Sequence, residues 1–507
     1  MQIDTCKEGG CPRVRMIGAT TNFGYGFSTV QDPVWRLGQV LLATGGRLLS
    51  GFPGVGFRSI ATDSRTIQPG DLFLALSGDR FDGHDFVEDA IQRGAAGLIV
   101  SKPGQTEFSV PVVLVDDPLR ALGDLAAYRR RLMPDLRVLA ITGSTGKTTV
   151  KEMTGAIFAE KFHVLKTRGN FNNLIGMPMT LLRVDYRHDV AVLEMGMNRP
   201  GEIDRLTEIA DPDICCIVNV HDAHLAGLKD IEGVARAKGE MFAACKSWAR
   251  LVVNFDDLRV RALSRQYSQE KITFGRHAKA MIRATHIRNC GEEGMVFTLH
   301  LNGVKERIRI KALGAHNVMN SLAAAAMAYA AGVDMGQIVR GLQKFSCAEK
   351  RLQIESVRGL KIVNDAYNAN PASMAAAFAT MEGLKGQAKL VAVLGDMLEL
   401  GEESKVAHRR LGENVACTGF DYVLTVGRFS HIVAQGALDA GMSRRQVRDL
   451  ASKEEMVEAL NDLLQLGELV PGDWLLVKGS RSMAMEQVIS GLRDGEQDQQ
   501  NQQDQQD

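Results

Sequence analysis

The chain has 507 residues, 45% of them apolar and 24% charged, with a formal net charge of zero. That length is too great for one hydrophobic core and implies about two to four domains. The balanced charge gives neither nucleic acid nor an anionic membrane anything to select.

The opening stretch "MQIDTCKEGGCPRVRMIG" has no apolar h-region, so no secretory signal is expected. Residues 30–133 read as a small α/β domain. Short apolar runs, "DLFLAL", "GLIVS" and "VVLVD", are expected strands, and "DFVEDAIQRGAA" is an expected helix. A second helix, "LRALGDLAAYRRRLMP", leads out to Pro134.

Residues 134–345 alternate strand and helix. The strands are "RVLAIT", "DVAVLEMG", "DICCIVNV" and "RLVVNFDD", and between them lie helical segments such as "RPGEIDRLTEIA" and "IEGVARAKGEMFAAC". This alternation predicts a parallel sheet with crossover helices. "MVFTLHLNGVKERIRI" predicts a hairpin turning at Asn302-Gly303. An Ala-rich helix follows and ends at Gly332. Residues 346–492 repeat the grammar with "LKIVND", "KLVAVLGD", "DYVLTVG" and "DWLLVKGS", and predict a Rossmann-like third domain. The polar, low-complexity residues 493–507 are expected to be disordered.

No run of about 18 apolar residues exists to insert into a membrane. The eight cysteines form no C-x-x-C pair, and Cys215 and Cys216 lie inside an apolar strand. That usage is reduced and cytoplasmic.

In an open parallel sheet, ligands sit beyond the carboxyl ends of the strands. Those ends carry Lys147 and Thr148, then Glu194, then His221, Asp222 and His224. In the third domain they carry Asn364, Asp365, Asp396 and Lys478. The turn "GSTGKTT" after "RVLAIT" suits phosphate, because glycines let backbone N–H groups converge and the next helix offers its positive end. It is not the common G-x-x-x-x-G-K-[ST] loop, since Ile141 stands where the first glycine belongs.

G-[ST]-x-G-K-T-T resembles the nucleotide loop of the Mur ligase family, where the shortened form is normal. "GNFNNLIGMPMTLL", "EMGMNRPGEI", "ARAKGEMF", "GAHNVMNSLAAAA", "NDAYNANPASM", "LGDMLELGEES" and "KGSRSMAMEQV" follow in that family's order, and "TDSRTIQPGDLFLALSGDRFDGHDF" resembles its uridine-nucleotide domain. The likeness spans roughly residues 30 to 490. Four features depart from it: Thr145 where many relatives have Asn, Lys350 before Arg351, His221, and the unmatched first residues.

The resemblance implies an ATP- and magnesium-dependent amide ligase of peptidoglycan precursor synthesis, working through an acyl phosphate. Its implied partners are UDP-N-acetylmuramoyl-tripeptide and D-alanyl-D-alanine, and the chain is taken as a monomer. Gly143, Ser144, Thr145, Gly146, Lys147, Thr148 and Thr149 would cradle the phosphates. Thr148, Glu194, His224 and Lys238 would serve magnesium, Lys238 as a CO₂-derived carbamate; the plainer alternative for Lys238 is a surface lysine pairing with Glu232 or Glu240. Asn317, Arg351 and Asp365 would complete the ATP site. Asn317 could equally cap a helix. Ser64, Arg65, Asn173, Tyr367, Asn368, Asn370 and Lys478 would meet the other substrates. Two alternatives stay open: another ligase of the superfamily, and a catalytically silent precursor sensor.

Overall fold

The computed structural model describes residues 35–503, apart from 53, 79–80, 103–107, 223–224 and 348. The N-terminal segment read for a signal and His224 therefore lie outside the described residues. The protein is α/β throughout, with three main sheets among the described residues.

The first sheet runs in the order Arg47–Ser50, Val112–Leu114, Gly97–Val100, Leu72–Leu74, Ile60–Ala61, parallel except at its first edge. Its outgoing helix, Pro118–Arg131, begins at a strong start signal. Asp117 caps the free N–H groups of Leu119 and Arg120, and Pro118 supplies a pre-set φ.

The second sheet has nine strands, and "RVLAIT" (Arg137–Thr142) lies inside it between Val190–Glu194 and Ile214–Ile217. Its run is apolar without alternation because both faces are covered. Leu139 and Ile141 pack against Val150, Met153 and the Ala-rich helix, while Val138 and Ala140 pack against Ile203, Leu206 and Phe242. The chain leaves Arg137–Thr142 toward one side of the sheet and returns on the other, which opens a crevice at that strand's carboxyl end. The expected hairpin forms the far edge. Asn302 and Gly303 both take positive φ, 48° and 81°, as a tight turn between antiparallel strands requires.

The third sheet orders Gln353–Val357, Leu360–Asp365, Trp474–Lys478, Leu390–Gly395, Tyr422–Val426, Val447–Leu450. Only the first pair is antiparallel. Trp474–Lys478, the last strand in the chain, inserts at the centre, which brings Lys478 beside Asp365.

The last helix, Glu486–Gln503, runs on into the segment 493–507 read as a polar tail, whose residues 504–507 lie outside the described residues. The helix is anchored by buried Val488, Ile489 and Leu492. Once nucleated there, it extends into glutamine-rich sequence of good helix propensity. Among the described residues no helix is long and apolar enough to cross a membrane.

Candidate active site

The glycine turn is held rigid by the next strand's end. Asn219 accepts from the Thr145 N–H at 3.0 Å and donates to its hydroxyl at 3.0 Å. The Ser144 hydroxyl donates to the His221 carbonyl at 2.8 Å and accepts from the His221 N–H at 2.9 Å. Gly146 is required twice over. Its φ is +78°, and a Cβ there would lie 2.4 Å from Asn320 Oδ1 on the Ala-rich helix. The Lys147 amine folds back onto the Gly143 carbonyl at 2.8 Å. Burial pushes its pKa down; Glu194 opposes the shift and Arg351 adds to it.

Beside the turn, Glu194 ends its strand with only 2% of its surface exposed. One carboxylate oxygen accepts from Thr148 Oγ1 at 2.8 Å and the other from Asn172 Nδ2 at 2.8 Å. Asn172 was not singled out in the sequence; its neighbour Asn173 was. Asn173 lines the same cleft, but its side chain accepts from the N–H groups of Ile175 and Gly176 and starts the following helix.

The third domain closes over these groups. Arg351 donates to Thr148 Oγ1 at 2.8 Å and stacks 3.9 Å from the centre of the Tyr367 ring. The residues on either side, Lys350 and Leu352, hold φ of 60° and 49°, an unusual conformation for side chains of that size. That backbone is pinned. Asp365 accepts from the Leu352 N–H at 3.2 Å, and the Lys350 amine pairs with Glu486 at 2.7 Å. Lys478, almost wholly buried, donates to Asp365 at 2.5 Å and to the Asn368 carbonyl at 2.9 Å. Asn370 caps the helix Pro371–Glu382 by accepting from the Ser373 N–H.

Together these groups line one cleft of about 1190 Å³ between the second and third domains. Ser144 through Thr149, Asn173, Glu194, Asn317, Arg351, Asp365, Tyr367, Asn368, Asn370 and Lys478 all lie on its wall. Asn317 is not the helix cap. Gly314 holds that place, and the Asn317 amide donates to the Leu313 carbonyl at 2.7 Å and accepts from Asn320 at 2.8 Å. Asp396 turns inward, accepting from the N–H groups of Arg428 and Phe429, and so serves the third domain's own loop.

Three of the other expected residues stand apart from that wall. Ser64 and Arg65 belong to a short turn of the first domain, where Arg65 is exposed and pairs with Asp63 at 2.7 Å. Lys238 is 1% exposed on the helix Ile231–Ala244, near enough to Lys147 to feel its charge. It is no surface lysine, and neither Glu232 nor Glu240 pairs with it; Glu232 takes Arg259, and Glu240 accepts from the Gly201 and Asp204 N–H groups. Burial, and the positive charge of Lys147, push its pKa well below the usual lysine value.

His316, unremarked in the sequence, faces Asp365 and Lys478 on the cleft wall and is pushed down to about 4 by burial. An unfolded histidine titrates near 6.5, so between those values the unfolded chain binds more protons and stability rises with pH. His316→Asn is expected to flatten that slope, removing about 1–3 kcal/mol of the stability lost on acidification across the window. Denaturant midpoints at pH 4.5 and 7 for both proteins check it; equal slopes would count against it.

Among the described residues no three His, Cys, Asp or Glu side chains gather as a metal cage. Beside the glycine turn the Glu194 carboxylate and the Thr148 hydroxyl stand together on the wall as oxygen donors. That is a fitting set for magnesium, which keeps waters and nucleotide phosphates as its remaining ligands.

A two-domain cleft with a shortened GKTT turn, a buried acid beside it and an arginine from the far domain defines a nucleotide-dependent ligase. The chain belongs to the Mur ligase family: its middle domain matches residues 141–328, its glutamate ligase domain 350–481, and its catalytic domain 57–130. Over 437 residues the chain is 38% identical to the UDP-N-acetylmuramoyl-tripeptide–D-alanyl-D-alanine ligase of Bacillus subtilis, covering 85% of this chain and 92% of that one. It is 37% identical to the Escherichia coli ligase of the same name, covering 86% and 94%. The structure matches a MurF crystal structure from Acinetobacter baumannii with a TM-score of 0.84 at 34% identity, covering 91% and 99%. It matches MurF of Thermotoga maritima in complex with ADP at 0.76 and 27%, covering 86% and 97%. The protein is an ATP-dependent ligase.

Proposed function

We propose that this enzyme joins D-alanyl-D-alanine to UDP-N-acetylmuramoyl-tripeptide, with ATP converted to ADP and phosphate. The observation that carries the reading is the likeness to ligases of that name along more than nine-tenths of their length. The reaction belongs to the cytoplasm, where ATP and the nucleotide precursor are made. The working units are residues 30–133 for the uridine nucleotide, 134–345 for ATP and 346–492 for closure.

A free carboxylate is a poor electrophile. In this reading the tripeptide carboxylate attacks the γ-phosphorus, ADP departs, and an acyl phosphate results. The dipeptide amine then attacks the acyl carbon; the amine loses a proton and phosphate leaves. The protein's part is positioning and charge neutralisation. Lys147 and the turn's N–H groups hold the β- and γ-phosphates, and Arg351 reaches them from the third domain. Asn317 and Asp365 hold adenine and ribose. Ser64 and Arg65 meet the uridine end, while Asn173, Tyr367, Asn368, Asn370 and Lys478 shape the acceptor side.

Thr148 and Glu194 would hold magnesium, with His224 and a carbamate on Lys238 as further donors. The ion would neutralise phosphate charge. Lys238 suits a carbamate because it is buried, lacks an acidic partner among the described residues and is pushed toward the neutral amine that takes up CO₂.

Phosphate release, measured with ATP and the UDP-tripeptide, should depend on D-alanyl-D-alanine. Release with another amino acid instead would point to a sibling ligase. The sibling that adds diaminopimelate carries D-N-P-R where this chain reads "NANPAS". No turnover with any acceptor would point to a silent sensor.

A further inference from the structure

Lys151 follows Lys147 by one helical turn, and its side chain is fully buried. A buried ammonium persists only where paired and hydrogen-bonded. Its amine donates to the Thr167 carbonyl at 2.7 Å and stands 3.1 Å from Glu152 and 3.8 Å from Glu194 Oε2. Thr167 is tied to the same acid, since its hydroxyl accepts from the Glu194 N–H at 3.0 Å. Lys166 pairs with the outer side of Glu152. Charges thus alternate from the surface inward: Lys166, Glu152, Lys151, Glu194, with Arg351 beyond Thr148.

Lys151 is not on the cleft wall; it reaches the cleft only through Glu194, behind which it stands. Nor is it needed to aim Glu194, whose two oxygens are already held by Thr148 and Asn172. What it adds is a fixed positive charge behind the acid.

We propose that Lys151 is a resident counter-cation for Glu194. It offsets the buried carboxylate when no divalent ion is present, and its charge opposes the incoming ion, which keeps the metal–nucleotide complex exchangeable. This rests on the reading of Thr148 and Glu194 as magnesium ligands.

The test is calorimetric binding of ADP to the full-length protein, with magnesium and with EDTA; the ratio of the two affinities is the magnesium gain. Lys151→Gln keeps a donor for the Thr167 carbonyl and removes the charge. It is expected to lower the melting temperature of the free protein and to raise the magnesium gain about tenfold, because a like charge near the ion is gone. Glu152→Gln acts in the opposite sense, leaving Glu194 as the one acid beside Lys151 among the described residues, and should lower the gain several-fold. A merely structural lysine predicts lost stability with an unchanged gain. That result in folded Lys151→Gln, or an unchanged gain in Glu152→Gln should the first variant not fold, overturns the proposal. A wild-type protein with no magnesium gain, or Glu194→Gln with a full one, would instead overturn the underlying metal-site reading.

Discussion

Replacing Lys147 by Ala is expected to lower turnover at least a hundredfold while leaving the fold intact. The amine sits at the mouth of a turn already rigid before ATP arrives, held by Asn219 and by the Ser144–His221 pair. Its present hydrogen bond, to the Gly143 carbonyl, is local and replaceable by water. In the proposed reaction it would neutralise charge on the transferring phosphoryl group. Losing one charge-assisted contact of that kind costs about 2–4 kcal/mol of transition-state stabilisation, which is roughly a hundredfold or more in rate. Steady-state phosphate release and a thermal melt on the same sample separate the two effects. Near-wild-type turnover would remove Lys147 from the mechanism.

The second large effect is expected at Lys238. If the buried amine carries a carbamate, Lys238→Ala should be nearly inactive, and Lys238→Arg no better, because a guanidinium stays protonated and takes up no CO₂. Degassing at mildly acidic pH should lower the wild-type rate, and bicarbonate should restore it. The sign follows from the shift. A lysine pushed down by burial is more fully neutral as pH rises through its lowered value, and only the neutral amine forms a carbamate. Acetate added to the Ala variant should refill the vacated oxygen position, and a partial return of rate is the expected result. Full activity in Lys238→Arg would rule the carbamate out.

These two lysines show how differently a sequence exposes its site. The turn was legible because everything that shapes it is local: a buried strand, two glycines, and Lys147-Thr148 opening a helix, all within about a dozen residues. The parallel α/β class was legible for a similar reason, since strands covered on both faces read as unbroken apolar runs. Asn302-Gly303 announced its hairpin because positive φ at both positions is a local demand. The short strand Val164–Lys166 and the polar-studded strands Lys271–Gly275 and Ile282–Asn289 carried no such signal, being formed by pairing with neighbours. The tail read as disordered because its composition lacks apolar surface; the helix it joins took its nucleus from residues 488–492, outside the biased segment.

By itself, then, the sequence determined most of the elements, the glycine turn and the family likeness, because backbone preference and apolar periodicity act over a few residues. Only the tertiary structure decided which side chains share a charge. Thr148 meets Glu194 across 46 positions and Arg351 across 203. Lys151, an ordinary helix lysine beside a glutamate in the sequence, became the buried neighbour of Glu194 through strand order alone. Asn172 rather than Asn173 reached that carboxylate because the loop's direction, not its composition, aims the amide. Lys238 was removed from water by the packing of its helix on the sheet. Electrostatic interaction falls with distance and rises with burial, and neither quantity exists until the chain has folded.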